Sequence, residues 1–167
     1  LMLDALAGDD GARARALVDR AKVLVGGDRH LAMIPDDGRE KLAWPTPLTE
    51  LIDTILGYRG TAVCVLATGD PLHYGVGVTL ARHVAIDEMI IVPGPSAFAL
   101  ACARLGWPRA ETETLTLHGR PLAQVYPYLY PNARVVILSE NAATPAHVAA
   151  ALRERGYGAS KMTVLEH

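Results

Sequence analysis

The sequence predicts a two-domain α/β protein, with a mostly parallel sheet in the first domain and a smaller mixed α/β second domain. Three observations carry this. Helical and strand-like segments alternate from Ala12 to Leu105, the pattern of a parallel sheet flanked by helices. The run Thr61–Ala67 is apolar without alternation, as a strand covered on both faces reads. Gly- and Pro-rich turns stand where apolar runs give way to helical ones. With 50% of its 167 residues hydrophobic, the chain is long enough to bury a core.

Each element has its own warrant. Ala12–Lys22 is a helix whose apolar face is Leu17, Val18 and Ala21. Lys22–Val25 is a short strand stopped by Gly26-Gly27, and Asp28-Arg29-His30 reads as a polar loop. Pro35–Gly38 is a turn, and Trp44-Pro45-Thr46-Pro47 is extended because residues before proline avoid helical angles. Leu48–Tyr58 is a helix with Leu48, Leu51, Ile52, Ile55 and Leu56 on one side. The strand Thr61–Ala67, the loop Thr68–His73, a helix over Tyr74–His83, a strand over Glu88–Val92, the turn Pro93–Ser96 and a helix over Ala97–Leu105 complete the first domain.

Leu105-Gly106-Trp107-Pro108-Arg109 marks the boundary, giving domains at residues 1–107 and 108–167. The second reads as strand Glu113–Leu117, helix Pro121–Leu129, strand Arg134–Ser139, helix Pro145–Arg155 and strand Lys161–Glu166. It reads as incomplete, because the sequence stops on a strand at His167.

Composition excludes several classes. The formal net charge is −2 with no basic stripe, which argues against sequence-independent nucleic-acid binding. No apolar stretch reaches a membrane span. Leu1-Met2-Leu3-Asp4 lacks the basic start of a signal peptide. The two cysteines, Cys64 and Cys102, lie in apolar patterns and read as buried reduced thiols of a cytoplasmic protein. No His or Cys pair has metal-ligand spacing, so no metal is expected.

Two turns carry the chemistry. Thr68-Gly69-Asp70-Pro71-Leu72-His73-Tyr74-Gly75 follows a buried strand and opens a helix, where ligands of open α/β sheets collect. Gly69 admits close backbone approach, Pro71 stiffens the turn, and Asp70 can accept from ribose hydroxyls or cap the helix. Val92-Pro93-Gly94-Pro95-Ser96-Ala97 is a second turn of this kind, with Ser96 a natural N-cap. Two rigid turns at strand ends would frame a preformed cleft. Neither fits a dinucleotide or nucleoside-triphosphate fingerprint.

Thr68–Gly75 and Pro93–Ala97 resemble the two signatures of the tetrapyrrole methylases. Val25-Gly26-Gly27-Asp28-Arg29-His30-Leu31, Leu117-His118-Gly119-Arg120 and Leu138-Ser139-Glu140-Asn141 with Thr144-Pro145 are similar to the branch of that family that methylates C-5 of a precorrin (the CbiE type). The resemblance covers Ala12–His167. It implies the two-domain tetrapyrrole methylase (class III methyltransferase) fold, with S-adenosylmethionine bound in the interdomain cleft and released as S-adenosylhomocysteine. It implies cofactor contacts from Thr68, Gly69, Asp70, His73 and Tyr74, from Ser96 and Ala97, and from Ser139 and Glu140. It further implies a precorrin of cobalamin biosynthesis as substrate, a homodimer, and a C-15 methyltransferase/decarboxylase (CbiT-type) domain or subunit as companion. Gly8-Asp9-Asp10-Gly11 reads as the remnant of the family's opening glycine-rich loop, with no strand before it.

A sulfonium is already an activated methyl donor, so no Ser, Cys or Lys nucleophile is required, and no catalytic base is named. Alignment of the reactants is the main task. Arg29, His30, His118 and Arg120 are the substrate candidates, because Arg suits the many carboxylates of a precorrin. Each has a plain alternative as a solvated loop charge or backbone cap. His83 and His147 read as surface positions, Trp44 and Trp107 as packing residues beside prolines. Another tetrapyrrole or rRNA methylase of the same fold, and a non-catalytic nucleotide-binding module, are the competing readings.

Overall fold

A computed structural model describes residues 9–45, 47 and 49–166. The expectations for Leu1–Gly8, Thr46, Leu48 and His167 lie outside the described residues. The chain divides into two compact units, one ending at Ser96 and the other beginning at Ala97.

In the first unit, α1 (Asp9–Arg20) leads into β1 (Val23–Gly26), α2 (Asp28–Ala32), β2 (Glu40–Ala43), α3 (Thr49–Gly57), β3 (Val63–Val65) and α4 (Val76–Leu80). The strands are parallel in the order β2-β1-β3, with Val23 opposite Glu40 on one side and Val63 on the other. Central β1 is buried throughout. On one face, Val18 and Ala21 pack with Leu24, Leu31, Cys64 and Leu66; on the other, Val23, Val25 and Leu51 gather Ile55, Val63 and Val65. The fully covered strand is therefore β1, whereas β3 is an edge that buries Cys64 but only half-buries Val63 and Val65.

Several expectations are corrected. Asp28-Arg29-His30 is not a loop but the first turn of α2. β2, over Glu40-Lys41-Leu42-Ala43, was not foreseen: it is a half-exposed edge strand without an apolar run. The expected helix Tyr74–His83 is cut to Val76–Leu80, since Tyr74 has φ +59° and Gly75 is extended. Glu88–Val92 is not a strand: Ile86–Glu88 forms a 3-10 turn and Met89–Val92 runs on without a ladder. A cavity of about 440 Å³, bordered by Val63 and Val65 on one side and Met89, Ile90 and Ile91 on the other, separates this segment from β3. Asp9–Gly11, read as part of a loop remnant, lie in the first turn of α1.

In the second unit, α5 (Ala97–Leu105), β4 (Glu113–Thr116), β5 (Val135–Leu138) and α6 (Thr144–Glu154) follow. β4 and β5 pair in parallel, Glu113 opposite Val135. Leu115, Leu117, Val125 and Val148 form the core. Pro121–Leu129 is a 3-10 segment, Leu122–Tyr128, rather than an α-helix; Pro127 cannot donate an α-helical hydrogen bond. Lys161–Glu166 is exposed and unpaired rather than a strand. No helix among the described residues is long and apolar enough to cross a membrane.

Arg39 closes the C-terminus of α1, donating to the carbonyls of Val18 (2.5 Å) and Ala21 (3.2 Å) while pairing with Asp37. The hydrogen bond from Arg39 holds the Asp37 carboxyl at about 2, so the unfolded chain takes up this proton first. Its stabilisation is present above the ordinary carboxylate value and fades as pH falls towards 2. Asp37→Asn is expected to flatten the acid limb of the stability–pH curve and leave the neutral limb shaped as before, as urea titrations across pH will show.

Candidate functional site

The ends of four parallel strands, β1 and β3 in the first unit and β4 and β5 in the second, determine where most of the candidate residues stand. After β3, Leu66 N–H still donates to Val25 O at 2.7 Å, extending the sheet to the start of the turn. Gly69 then takes φ +70°, a left-handed angle that costs glycine little. Asp70 Oδ1 accepts from Leu72 N–H at 2.9 Å, and its carbonyl accepts from His73 N–H at 3.1 Å. Pro71 fixes φ within this closed turn. Tyr74 keeps φ +59°, an angle that strains a bulky side chain. Its ring lies 5.2 Å from that of His73.

Gly75 and Gly77 let α4 approach the turn. A Cβ on Gly75 would stand 2.7 Å from Pro71 O and 2.9 Å from Asp70 O; one on Gly77 would stand 2.7 Å from Pro71 O. These contacts are with backbone, so the turn and helix are locked together by two absent side chains.

From the end of β1, α2 brings Arg29 and His30 to the same turn. Thr68 Oγ1 accepts from Arg29 Nη2 at 3.1 Å and lies 2.8 Å from His30 Nε2, and the guanidinium is 3.5 Å from that ring nitrogen. Two substrate candidates and one cofactor candidate, separated by 38 and 39 residues in sequence, thus meet around one hydroxyl. The second turn ends on buried Ser96, directly before Ala97 and α5.

In the second unit, His118, Gly119 and Arg120 follow β4 and are exposed, as are Ser139 and Glu140 after β5. Glu140 Oε1 accepts from Gly119 N–H at 3.3 Å, so these two groups of candidates touch. Buried Thr144 accepts from the N–H groups of Glu140 and Asn141, each at 3.2 Å, and fixes this turn. His83 and His147 are exposed.

Sequence reasoning missed the locking role of Gly75 and Gly77, the support from Thr144, and the place of Trp44 beside the site. The signal for Thr144 was the Thr-Pro pair at a helix start. Burial pushes the Cys64 thiol up to about 11, leaving it a neutral packing group rather than a nucleophile. Among the described residues no group of three or more His, Cys, Asp or Glu could hold a metal ion.

Comparison with known proteins agrees with this architecture. Residues 11–167 match the Tetrapyrrole (Corrin/Porphyrin) Methylases. A precorrin-6Y C(5,15)-methyltransferase [decarboxylating] from Sinorhizobium sp is 43% identical over 157 residues, which are 93% of this chain and 38% of that protein. A cobalt-precorrin-7 C(5)-methyltransferase from Salmonella typhimurium is 33% identical over 150 residues, 90% of this chain and 74% of that protein. The crystal structure of a cobalamin biosynthesis precorrin-6Y methylase from Archaeoglobus fulgidus matches with a TM-score of 0.55 and 30% identity, covering 75% of this chain and 64% of that one. The chain therefore spans well under half the length of the first of these relatives and about three quarters of the second. The parallel-sheet architecture, the match over nearly its whole length and the C-5 methyltransferase relatives together make this chain a member of the tetrapyrrole methylase family.

Proposed function

We propose that this chain binds S-adenosylmethionine and directs its methyl group to C-5 of a precorrin in cobalamin biosynthesis. One observation carries the reading: the turn Thr68–Pro71, closed by Asp70 and backed by Gly75 and Gly77, stands at the end of a parallel strand with Arg29 and His30 on Thr68. The donor set suits the cofactor. A carboxylate with one oxygen used inside its own turn retains acceptor capacity for a ribose diol, and Gly69 places no side chain beside it.

When bound, the sulfonium supplies an activated methyl to an electron-rich carbon. The chain's own work is then to bind and to orient. Thr68, Gly69, Asp70, His73 and Tyr74 are assigned to the cofactor, with Ser96 and Ala97 from the second turn and Ser139 and Glu140 from the second unit. Arg29, His30, His118 and Arg120 are assigned to the substrate carboxylates, for which guanidinium groups offer two-pronged recognition. The names of the Sinorhizobium and Salmonella relatives support the precorrin, and the first supports a C-15 methyltransferase/decarboxylase companion (CbiT type). A homodimer in the cytoplasm completes the proposal.

Incubating the full-length protein with methyl-labelled S-adenosylmethionine and a panel of precorrins, read by mass spectrometry, tests it. One added methyl at C-5 of a late corrin intermediate is expected. Binding of S-adenosylhomocysteine with no methyl transferred to any tetrapyrrole would reject the substrate, and transfer to rRNA would replace it.

A further inference from the structure

Trp44 follows edge strand β2 and is held there by its N–H donating to Gly26 O at 3.1 Å. One side of the residue packs against the core around Val25 and Leu51. Another borders a pocket of about 310 Å³ whose walls are Trp44, Pro45, Tyr74, Gly75, Val76 and Thr79. This pocket opens at the same end of the sheet as the Asp70 turn and shares Gly75 with it, since that glycine packs on the Asp70 and Pro71 carbonyls.

Two features make the pocket more than a gap in the packing. Gly27 leaves room for the indole: a Cβ there would stand 3.2 Å from Trp44 Cδ1 and 3.4 Å from its Nε1. The same point lies 3.6 Å from His30 Nδ1, so indole and imidazole border one small space. Tyr74, 43% exposed and held on a strained left-handed backbone, lines the pocket as well. Trp44 and Tyr74 thus both give the pocket aromatic surface, and the Arg29 guanidinium, 3.5 Å from His30 Nε2, is a permanent cation on the neighbouring residue.

We infer that Trp44 is a specificity-determining residue, which stacks on the flat conjugated rim of the carboxylated macrocycle while Arg29 takes a carboxylate. The inference rests on the substrate reading above. It assigns to the macrocycle, rather than to the adenine of the cofactor, a surface that touches the cofactor turn through Gly75. A polycarboxylated ring uses both the π faces and the cation; adenine carries no carboxylate for two-pronged pairing with Arg29.

The full-length protein, Trp44→Leu and Trp44→Phe are titrated with a free-base octacarboxylic porphyrin by absorbance and, separately, with S-adenosylhomocysteine by calorimetry. Leucine keeps the apolar contact with the core and removes the π face; phenylalanine keeps both. Trp44→Leu is expected to weaken porphyrin binding roughly ten-fold, with Trp44→Phe within about three-fold of the parent. S-adenosylhomocysteine binding of both variants should stay at the parental value; the thermal midpoint should stay there for Trp44→Phe and fall by a few degrees for Trp44→Leu, which loses part of the indole's packing on Val25 and Leu51. Weaker S-adenosylhomocysteine binding with unchanged porphyrin binding would give the pocket to adenine and overturn the inference. Equal porphyrin binding by all three proteins would reduce Trp44 to a packing residue. A parent that binds S-adenosylhomocysteine but no porphyrin would overturn this inference and leave the cofactor assignment standing; a parent that binds neither would remove the broader reading as well.

Discussion

Gly77→Ala is expected to destabilise the fold by about 2 kcal/mol and to weaken S-adenosylhomocysteine binding about ten-fold, while Gly57→Ala leaves both nearly unchanged. The reason is where each new methyl would go. At Gly77 it would meet Pro71 O at 2.7 Å and Pro71 C at 3.0 Å, both backbone atoms of the turn proposed to hold the cofactor. Proline cannot rotate away about φ, and Gly77 is buried, so the strain must move α4 or the turn. Either movement disturbs the Asp70 carboxylate, whose hydrogen bond to Leu72 depends on the turn staying closed. Gly57 ends α3 with nothing within 4 Å of the same methyl. Alanine there adds helix propensity at no steric cost. Chemical denaturation and calorimetric titration of the two variants separate the cases. Gly77→Ala with parental stability would mean that the helix–turn contact is soft and the turn is not built by these glycines.

What the sequence made legible follows from how far each signal reaches along the chain. Ala97–Leu105 is a helix over the residues its periodicity marks, and α6 begins beside the proline that announces it. The apolar run around Cys64 did mark a strand at the site. Signals shorter than a turn of helix, or spread between segments, were not legible. α2 has five residues, three of them polar, too few for a period to show. β2 is an edge strand whose Lys41 spends its charge on the carbonyls of Ile34 and Pro35, a role no pattern in Glu40–Ala43 reveals. Met89–Val92 and Lys161–Glu166 carry strand-like composition, but a strand needs a neighbour, and neither has a ladder partner among the described residues. At the site, the Thr68–Gly75 motif announced a closed turn between a strand and a helix. The meeting of Thr68 with Arg29 and His30 depends on strand order, and strand order is not written locally.

That meeting gives the other large effect. Arg29→Ala and Thr68→Val are each expected to lower kcat/KM for methyl transfer by the full-length enzyme about 30-fold, and the double variant to lose little more than either alone. Thr68 Oγ1 has one proton and two lone pairs. It accepts from Arg29 Nη2 at 3.1 Å and shares a 2.8 Å contact with His30 Nε2, so the guanidinium's position and the hydroxyl's direction are set together. Without the hydroxyl, Arg29 loses the acceptor that fixes it, and a mobile cation recognises a carboxylate less well. Without Arg29, Thr68 turns to His30 alone and the turn loses its tie to α2. The two losses are thus largely one loss, with a coupling energy of about 2 kcal/mol. Both side chains are exposed, so the fold should hold: thermal midpoints are expected within about 2 °C of the parent. Calorimetry with S-adenosylhomocysteine then divides the effect between ligands. Arg29→Ala should act mainly through the tetrapyrrole, and Thr68→Val through both. Losses that simply add in the double variant would show that Arg29 and Thr68 act separately, whatever their distance.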